Sequence, residues 1–150
     1  MSWLEATRVA RAIAGSTAIT GTLSSIHLIG LGLITGGALF SNLAGFGVLS
    51  PSASRTDAIR PAARAITAGL VVSVTTGLLL FSSRAAAAFE NGNFRLKMTL
   101  LALAVLLHFT LQRANRDEPV SGGIHRAGTT LALLLWIGVA LAGCAFILLE

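Results

Sequence analysis

The chain has few charged residues, one cysteine and no tyrosine. Charged residues make up 11% of its 150 residues, and Cys144, as the only cysteine, excludes a disulfide within the chain. Its six acidic residues all lie outside the apolar stretches, so paired carboxylates for acid–base chemistry inside a membrane are lacking. These absences argue against a stand-alone enzyme.

Hydrophobic residues dominate instead, at 54% of the chain with a mean hydropathy of +0.80. Four long apolar stretches, at 23–49, 65–83, 98–112 and 127–149, are free of Lys, Arg, Asp and Glu. A helix of about 20 residues crosses a bilayer, and the second and third stretches reach this length by starting at Pro61 and Phe94. Short connections between them favour antiparallel neighbours. The sequence predicts an all-α integral membrane protein, in which residues 1–150 form a single transmembrane domain. This domain is an up-down four-helix bundle with spans at about 23–49, 61–83, 94–113 and 127–149.

The basic residues lie in the N-terminal segment, in connections or at helix ends, where membrane proteins meet lipid headgroups. No basic stripe interleaves with aromatic residues, so nucleic acid is not an expected partner. The side that holds the termini has five basic residues and the other side six, which favours termini outside only slightly. The two sets are Arg8, Arg11, Arg84, Arg95 and Lys97, and Arg55, Arg60, Arg64, Arg113, Arg116 and Arg126.

The N-terminal segment has a weak amphipathic pattern. Trp3, Ala6, Ala10 and Ile13 share one helical face over residues 2–16. This pattern predicts an interfacial amphipathic helix lying on the membrane. A cytosolic tail and an early start of the first span are the alternatives.

Small residues recur at four-residue spacing in three of the predicted spans. Such rows let helix backbones approach closely in lipid, either within one protomer or in a homo-oligomer or larger membrane complex. The predicted packing residues are Gly32 and Gly36, then Gly69, Ser73 and Gly77, and finally Gly138 and Ala142.

Three histidines, His27, His108 and His125, are the candidates for a cofactor site. An ionisable residue inside a membrane is a functional candidate by default, and neutral imidazole is a common haem ligand. Helix direction places His108 and His125 near one membrane surface and His27 about 6 Å below the other. The hypothesis is that these histidines bind the iron of haem b. The alternative is that they only hydrogen-bond neighbouring helices or, for His125, lie at the interface.

A second candidate site opens the third predicted helix. Arg95 and Lys97 lie near the predicted depth of His27 and form a cationic rim for an anionic ligand or lipid, unless they only snorkel. Three functions follow: a haem-binding redox or electron-transfer subunit, a non-catalytic membrane anchor or assembly subunit, and a copper or small-solute transport element.

The predicted spans contain the motifs Ile26-His27-Leu28 followed by Gly36-Gly37, Thr76-Gly77 to Phe81, Phe94 to Lys97, and Leu135 to Gly138 followed by Ala142-Gly143. These motifs resemble those of an uncharacterised family of small four-helix bacterial integral membrane proteins. The chain is also loosely similar to copper-resistance D-type membrane proteins. The resemblance implies a bacterial inner membrane location, keeps His27 and Lys97 as family positions, and sets Cys144 where the family has Arg.

Overall fold

The computed structural model describes residues 2–46, 48, 55–117 and 122–148, and every regular element in these ranges is an α-helix. Four of the helices are long and apolar enough to cross a membrane, which confirms the predicted all-α class with four spans. In chain order the helices are α1 (Ser2–Glu5), α2 (Arg8–Ala14), α3 (Thr17–Gly45), α4 (Arg55–Ser83), α5 (Ala85–Glu90), α6 (Gly92–Asp117) and α7 (Gly122–Leu148).

The first spanning helix, α3, begins at Thr17, six residues before the apolar stretch. Ser16 caps it, since the Ser16 hydroxyl accepts from the Ile19 N–H at 3.3 Å. The polar Thr22 and Ser25 do not interrupt the helix because each hydroxyl donates to a carbonyl four residues earlier. His27 therefore lies about 15 Å from the start of α3, ten residues into the helix and not the four that the apolar stretch indicated.

The spanning helices pack in the spatial order α4, α3, α7, α6. Position 30 of α3 faces 69 of α4 and position 37 faces 62, so these two helices run antiparallel. Positions 128 and 138 of α7 face Leu111 and Leu100 of α6, which makes that pair antiparallel too. Along the described residues α4 and α6 share no extended interface. They touch near the terminal side, where Phe81 and Phe94 stack with ring centroids 5.3 Å apart.

The middle of the bundle is filled by apolar side chains. Ile34 of α3 and Trp136 and Val139 of α7 are the largest side chains that are fully buried among the described residues. Ile66 and Ala104 extend this core toward α4 and α6. This apolar core thus separates the two ends of the bundle.

Not all of the predicted packing rows face the inside of the bundle. Gly69 and Ser73 lie in the α3–α4 interface, Gly138 contacts Leu100, and Ala142 is buried. Gly32 and Gly36 point outward instead, because a Cβ added at either position would meet no atom within 4 Å. The glycines by which α3 contacts α4 are Gly30 and Gly37, which lie on the opposite face.

The N-terminal segment forms two short helices in place of the one predicted. The break lies at 6–7, where the Thr7 hydroxyl caps α2 by accepting from the Ala10 N–H at 3.2 Å. Ala10 and Ile13 are buried, and α2 packs on α3 and α4. Because of the break, Trp3 does not share that buried face and is 69% exposed. Its location at the membrane interface stays a prediction.

Candidate functional site at the His27 end of the bundle

His27 is the centre of a polar cluster near the terminal side of the membrane. Its Nδ1 lies 3.0 Å from the hydroxyl oxygen of Thr76 on α4. That hydroxyl has one proton, which it donates to the Val72 carbonyl at 2.7 Å. Thr76 must therefore accept from His27, which fixes the proton of the neutral imidazole on Nδ1 and leaves the Nε2 lone pair free to accept.

Lys97 of α6 supplies the donor for this second nitrogen. Its amine Nζ lies 3.5 Å from His27 Nε2, a long contact for a hydrogen bond. The described carboxylates form no ion pair with Lys97. A donor chain thus runs from the Lys97 amine through the imidazole and the Thr76 hydroxyl to a backbone carbonyl.

Two glycines make room for this pair. A Cβ at Gly77 would lie 3.2 Å from the Cε1 of His27, and one at Gly143 of α7 would lie 3.2 Å from the Nζ of Lys97. The cluster therefore brings together side chains or backbone from all four spanning helices. Gly77, predicted as a helix-packing residue, borders the imidazole and leaves space for it.

Arg95 does not join the cluster. Its side chain is exposed, whereas that of Lys97 is half-buried two residues later. Positions two residues apart on a helix point about 200° away from each other, so Arg95 and Lys97 do not face the same neighbour. Of these two basic residues, Lys97 is the one that contacts His27, and binding of an anionic ligand or lipid by the pair stays a prediction.

His108 lies at the other end of the bundle. It is 11 residues from Lys97 on α6, which separates it from the His27 cluster by about 16 Å along the helix. Its Nε2 is 2.8 Å from the side-chain amide nitrogen of Gln112, one turn later. The ring is 6% exposed and borders a cavity of about 50 Å³. The side chain of His125 lies outside the described part of the structure.

The two described histidine sites do not fit a porphyrin. At His27 the free ring nitrogen faces Lys97, and at His108 one ring nitrogen bonds Gln112. The cavity of about 50 Å³ is far below the roughly 300 Å³ at which pockets for larger ligands begin. Among the described residues no group of three or more His, Cys, Asp or Glu could hold a metal ion. Haem b binding stays a prediction.

Sequence reasoning missed Thr76, the hydrogen-bond acceptor for His27. It lies 49 residues away in the chain, so the spacing of motifs does not reveal it. One signal was present, since Thr76 follows Ser73 by three residues and so shares its face of α4.

Comparison of the chain with protein-family models, curated proteins and solved structures finds no match. The resemblance to small four-helix membrane proteins stays an expectation. Function therefore has to be argued from the chain's own geometry.

Proposed function

We propose that this small four-span membrane protein is an anchor or assembly subunit that joins other transmembrane helices through one face of α3. We call this face, formed by Gly21, Ser25, Gly32 and Gly36, the outer face of α3. The observation that carries the proposal is the openness of its glycines: a Cβ at any of the three would meet no atom within 4 Å.

The opposite face of α3 shows how glycines of this helix pack when a neighbouring helix is present. There Gly30 and Gly37 are already in backbone contact with α4, where an added Cβ would lie 3.0 Å from a carbonyl oxygen. Glycine inside a helix costs about 0.5–1 kcal/mol relative to alanine. Close packing by α4 offsets that cost at the inner positions. A second helix on the outer face would offset it at Gly32 and Gly36.

A second copy of this chain is the partner that we expect. A row of small residues at four-residue spacing is complementary to itself, so a twofold axis brings two identical rows together. The exposed Ile29 and Leu33 beside the row would add apolar contact on each side.

The test is the molar mass of the full chain in mild detergent and its cross-linking in liposomes at several protein-to-lipid ratios. We expect a dimer for the natural chain and a monomer for Gly32→Leu and Gly36→Leu. Ala68→Leu, on an exposed part of α4, is the matched control and should remain dimeric. A chain that is monomeric at every ratio, and that loses no co-purifying subunit on substitution, contradicts the proposal.

A second function, binding of an anionic ligand at Lys97, is favoured by a different observation. The Lys97 amine lies within a spanning helix beside a neutral imidazole, without a carboxylate partner among the described residues. An anion would neutralise this charge. Sulfate titration followed by NMR of the Lys97 amine should show saturable binding that Lys97→Arg keeps and Lys97→Met loses. Unchanged spectra at saturating sulfate would exclude this function.

The redox and transport hypotheses have less support. A reduced b-type spectrum lost on substitution of His27, His108 or His125 is the result that the haem hypothesis requires. Transport of copper or a small solute would need a path between the two ends of the bundle. The fully buried Ile34, Trp136 and Val139 fill that region.

A further inference from the structure

The open side of the bundle forms a groove between α4 and α6. These helices share no extended interface along the described residues, so α3 and α7 make the floor of the groove. We call this the α4–α6 groove. Ile66 and His108 lie on its two walls, and Ser41 and Trp136 on its floor, around the cavity of about 50 Å³. The cavity lies at the end of the bundle opposite His27 and is partly open to the surroundings.

Three hydrogen-bond donors around this cavity have no acceptor among the described residues. The amide of Gln112 donates to His108 Nε2, which leaves the proton on His108 Nδ1, a nitrogen without a partner. The Ser41 hydroxyl, on a side chain 8% exposed, is also without one. The buried Nε1 of Trp136 is the third. A cavity surrounded by unused donors favours an occupant that carries acceptor oxygens.

Arginines flank the same end of the groove. Arg64 directly follows a residue that lines the cavity on α4, and Arg113 directly follows Gln112 on α6. Both side chains are exposed, and neither forms an ion pair with a described carboxylate. Arg60 adds a third exposed cation one turn before Arg64. The end of the bundle that holds the cavity is therefore positively charged.

The depths of Arg113 and His108 match the order of phosphate and ester groups in a phospholipid. His108 lies five residues before Arg113, about 7–8 Å deeper along the helix. Phosphate is the outermost anionic group of a phospholipid, ester carbonyls lie below it, and acyl chains follow. On α6, Arg113 and then the unused donor of His108 follow the same order, and the apolar Ile66 and Leu111 line the walls of the groove between these two levels.

From this order we propose that the α4–α6 groove binds one anionic phospholipid. The phosphate pairs with Arg64 and Arg113, as basic pockets between transmembrane helices do with lipid headgroups. One ester carbonyl accepts from His108 or Ser41, and the acyl chain covers the apolar wall where α4 and α6 do not meet.

The test uses the full chain in detergent, with lipid binding followed by native mass spectrometry and by thermal stabilisation. Dioleoyl phosphatidylglycerol should bind at one site at least fivefold more tightly than dioleoyl phosphatidylcholine. Arg64→Gln and Arg113→Gln should remove this preference. Arg95→Gln, an exposed arginine at the other end of α6, should keep it.

The ester contact is tested separately with phosphatidylglycerol whose chains are ether-linked and so lack carbonyls. The ester lipid should bind more tightly than the ether lipid to the natural chain, and His108→Leu or Ser41→Ala should abolish that difference. Two variants are used because His108→Leu alone could disturb folding. Three results would overturn the proposal. They are equal binding of ester and ether lipids, a preference lost in Arg95→Gln but kept in Arg113→Gln, and the absence of any bound phospholipid in native mass spectra.

Discussion

Gly69 of α4 lies so close to Gly30 of α3 that a Cβ on Gly69 would be 2.6 Å from the Gly30 carbonyl oxygen. One turn along α4, the Ser73 hydroxyl donates to the His27 carbonyl at 3.4 Å. Thr76, the acceptor for the His27 ring, follows on the same face of α4. The close glycine contact and the hydrogen bonds of His27 thus lie along one line between α3 and α4. The close approach of the two backbones permits these hydrogen bonds.

Substitution of Gly69 should therefore destabilise the bundle. In Gly69→Ala the new methyl group overlaps backbone, which cannot move aside as a flexible side chain would, and we expect a loss of about 1–3 kcal/mol in unfolding free energy. Gly32→Ala is the control, because its methyl group meets no atom within 4 Å. Unfolding by SDS titration measures both. Equal stabilities of the two variants would contradict the α3–α4 contact.

Two adjacent threonines of α4 allow the hydrogen bond to His27 to be tested separately from hydrogen bonds within the helix. Thr75 and Thr76 both donate to a carbonyl four residues earlier, at 2.7 Å in each case, but Thr76 alone also accepts from His27. Thr76→Val should lower the unfolding free energy by about 0.5–2 kcal/mol, because it leaves the His27 Nδ1–H without an acceptor. Thr75→Val should be close to neutral. A larger loss from Thr75→Val would show that the His27 contact contributes little.

The N-terminal helices are tied to the bundle by Glu5. Its carboxylate accepts from the Ala86 N–H at 2.8 Å, at the first turn of α5. Glu5→Ala should release this contact and raise hydrogen exchange over residues 2–14, with the spanning helices unchanged. Arg8→Ala, an exposed change on the next helix, should leave exchange as it is. Unaltered exchange in Glu5→Ala would mean that packing of Ala10 and Ile13 alone holds the segment.

Hydropathy predicted the fold because lipid-facing residues are apolar whichever neighbour a helix has. This pattern was sufficient to predict four spanning helices with apolar interiors. The helix ends were predicted less accurately. The hydroxyls of Thr22 and Ser25 form hydrogen bonds within α3, so this helix extends through polar positions. The break in the N-terminal segment depends on the Thr7 cap, which periodicity does not detect.

The candidate site was predicted only in part. Helix direction indicated that Lys97 lies near the depth of His27, and the structure brings its amine to 3.5 Å from the ring. Which glycine face of α3 meets α4 was not predictable, because Gly30 and Gly37 are seven residues apart and Gly32 and Gly36 are four apart, and both spacings suit close packing. Which face of α3 meets α4 depends on tertiary contacts that cannot be read from a single sequence.

The central claim is that lipid surrounds these four helices, and the depth of a spin label tests it most directly. A nitroxide is attached at Leu103→Cys, an exposed position near the middle of the α6 span, in a Cys144→Ser chain reconstituted into liposomes. Ala87→Cys on α5 is the exposed control. We predict that oxygen relaxes the Leu103 label more strongly than a water-soluble nickel chelate does, with the order reversed at Ala87. Stronger relaxation of the Leu103 label by the nickel chelate would contradict the account.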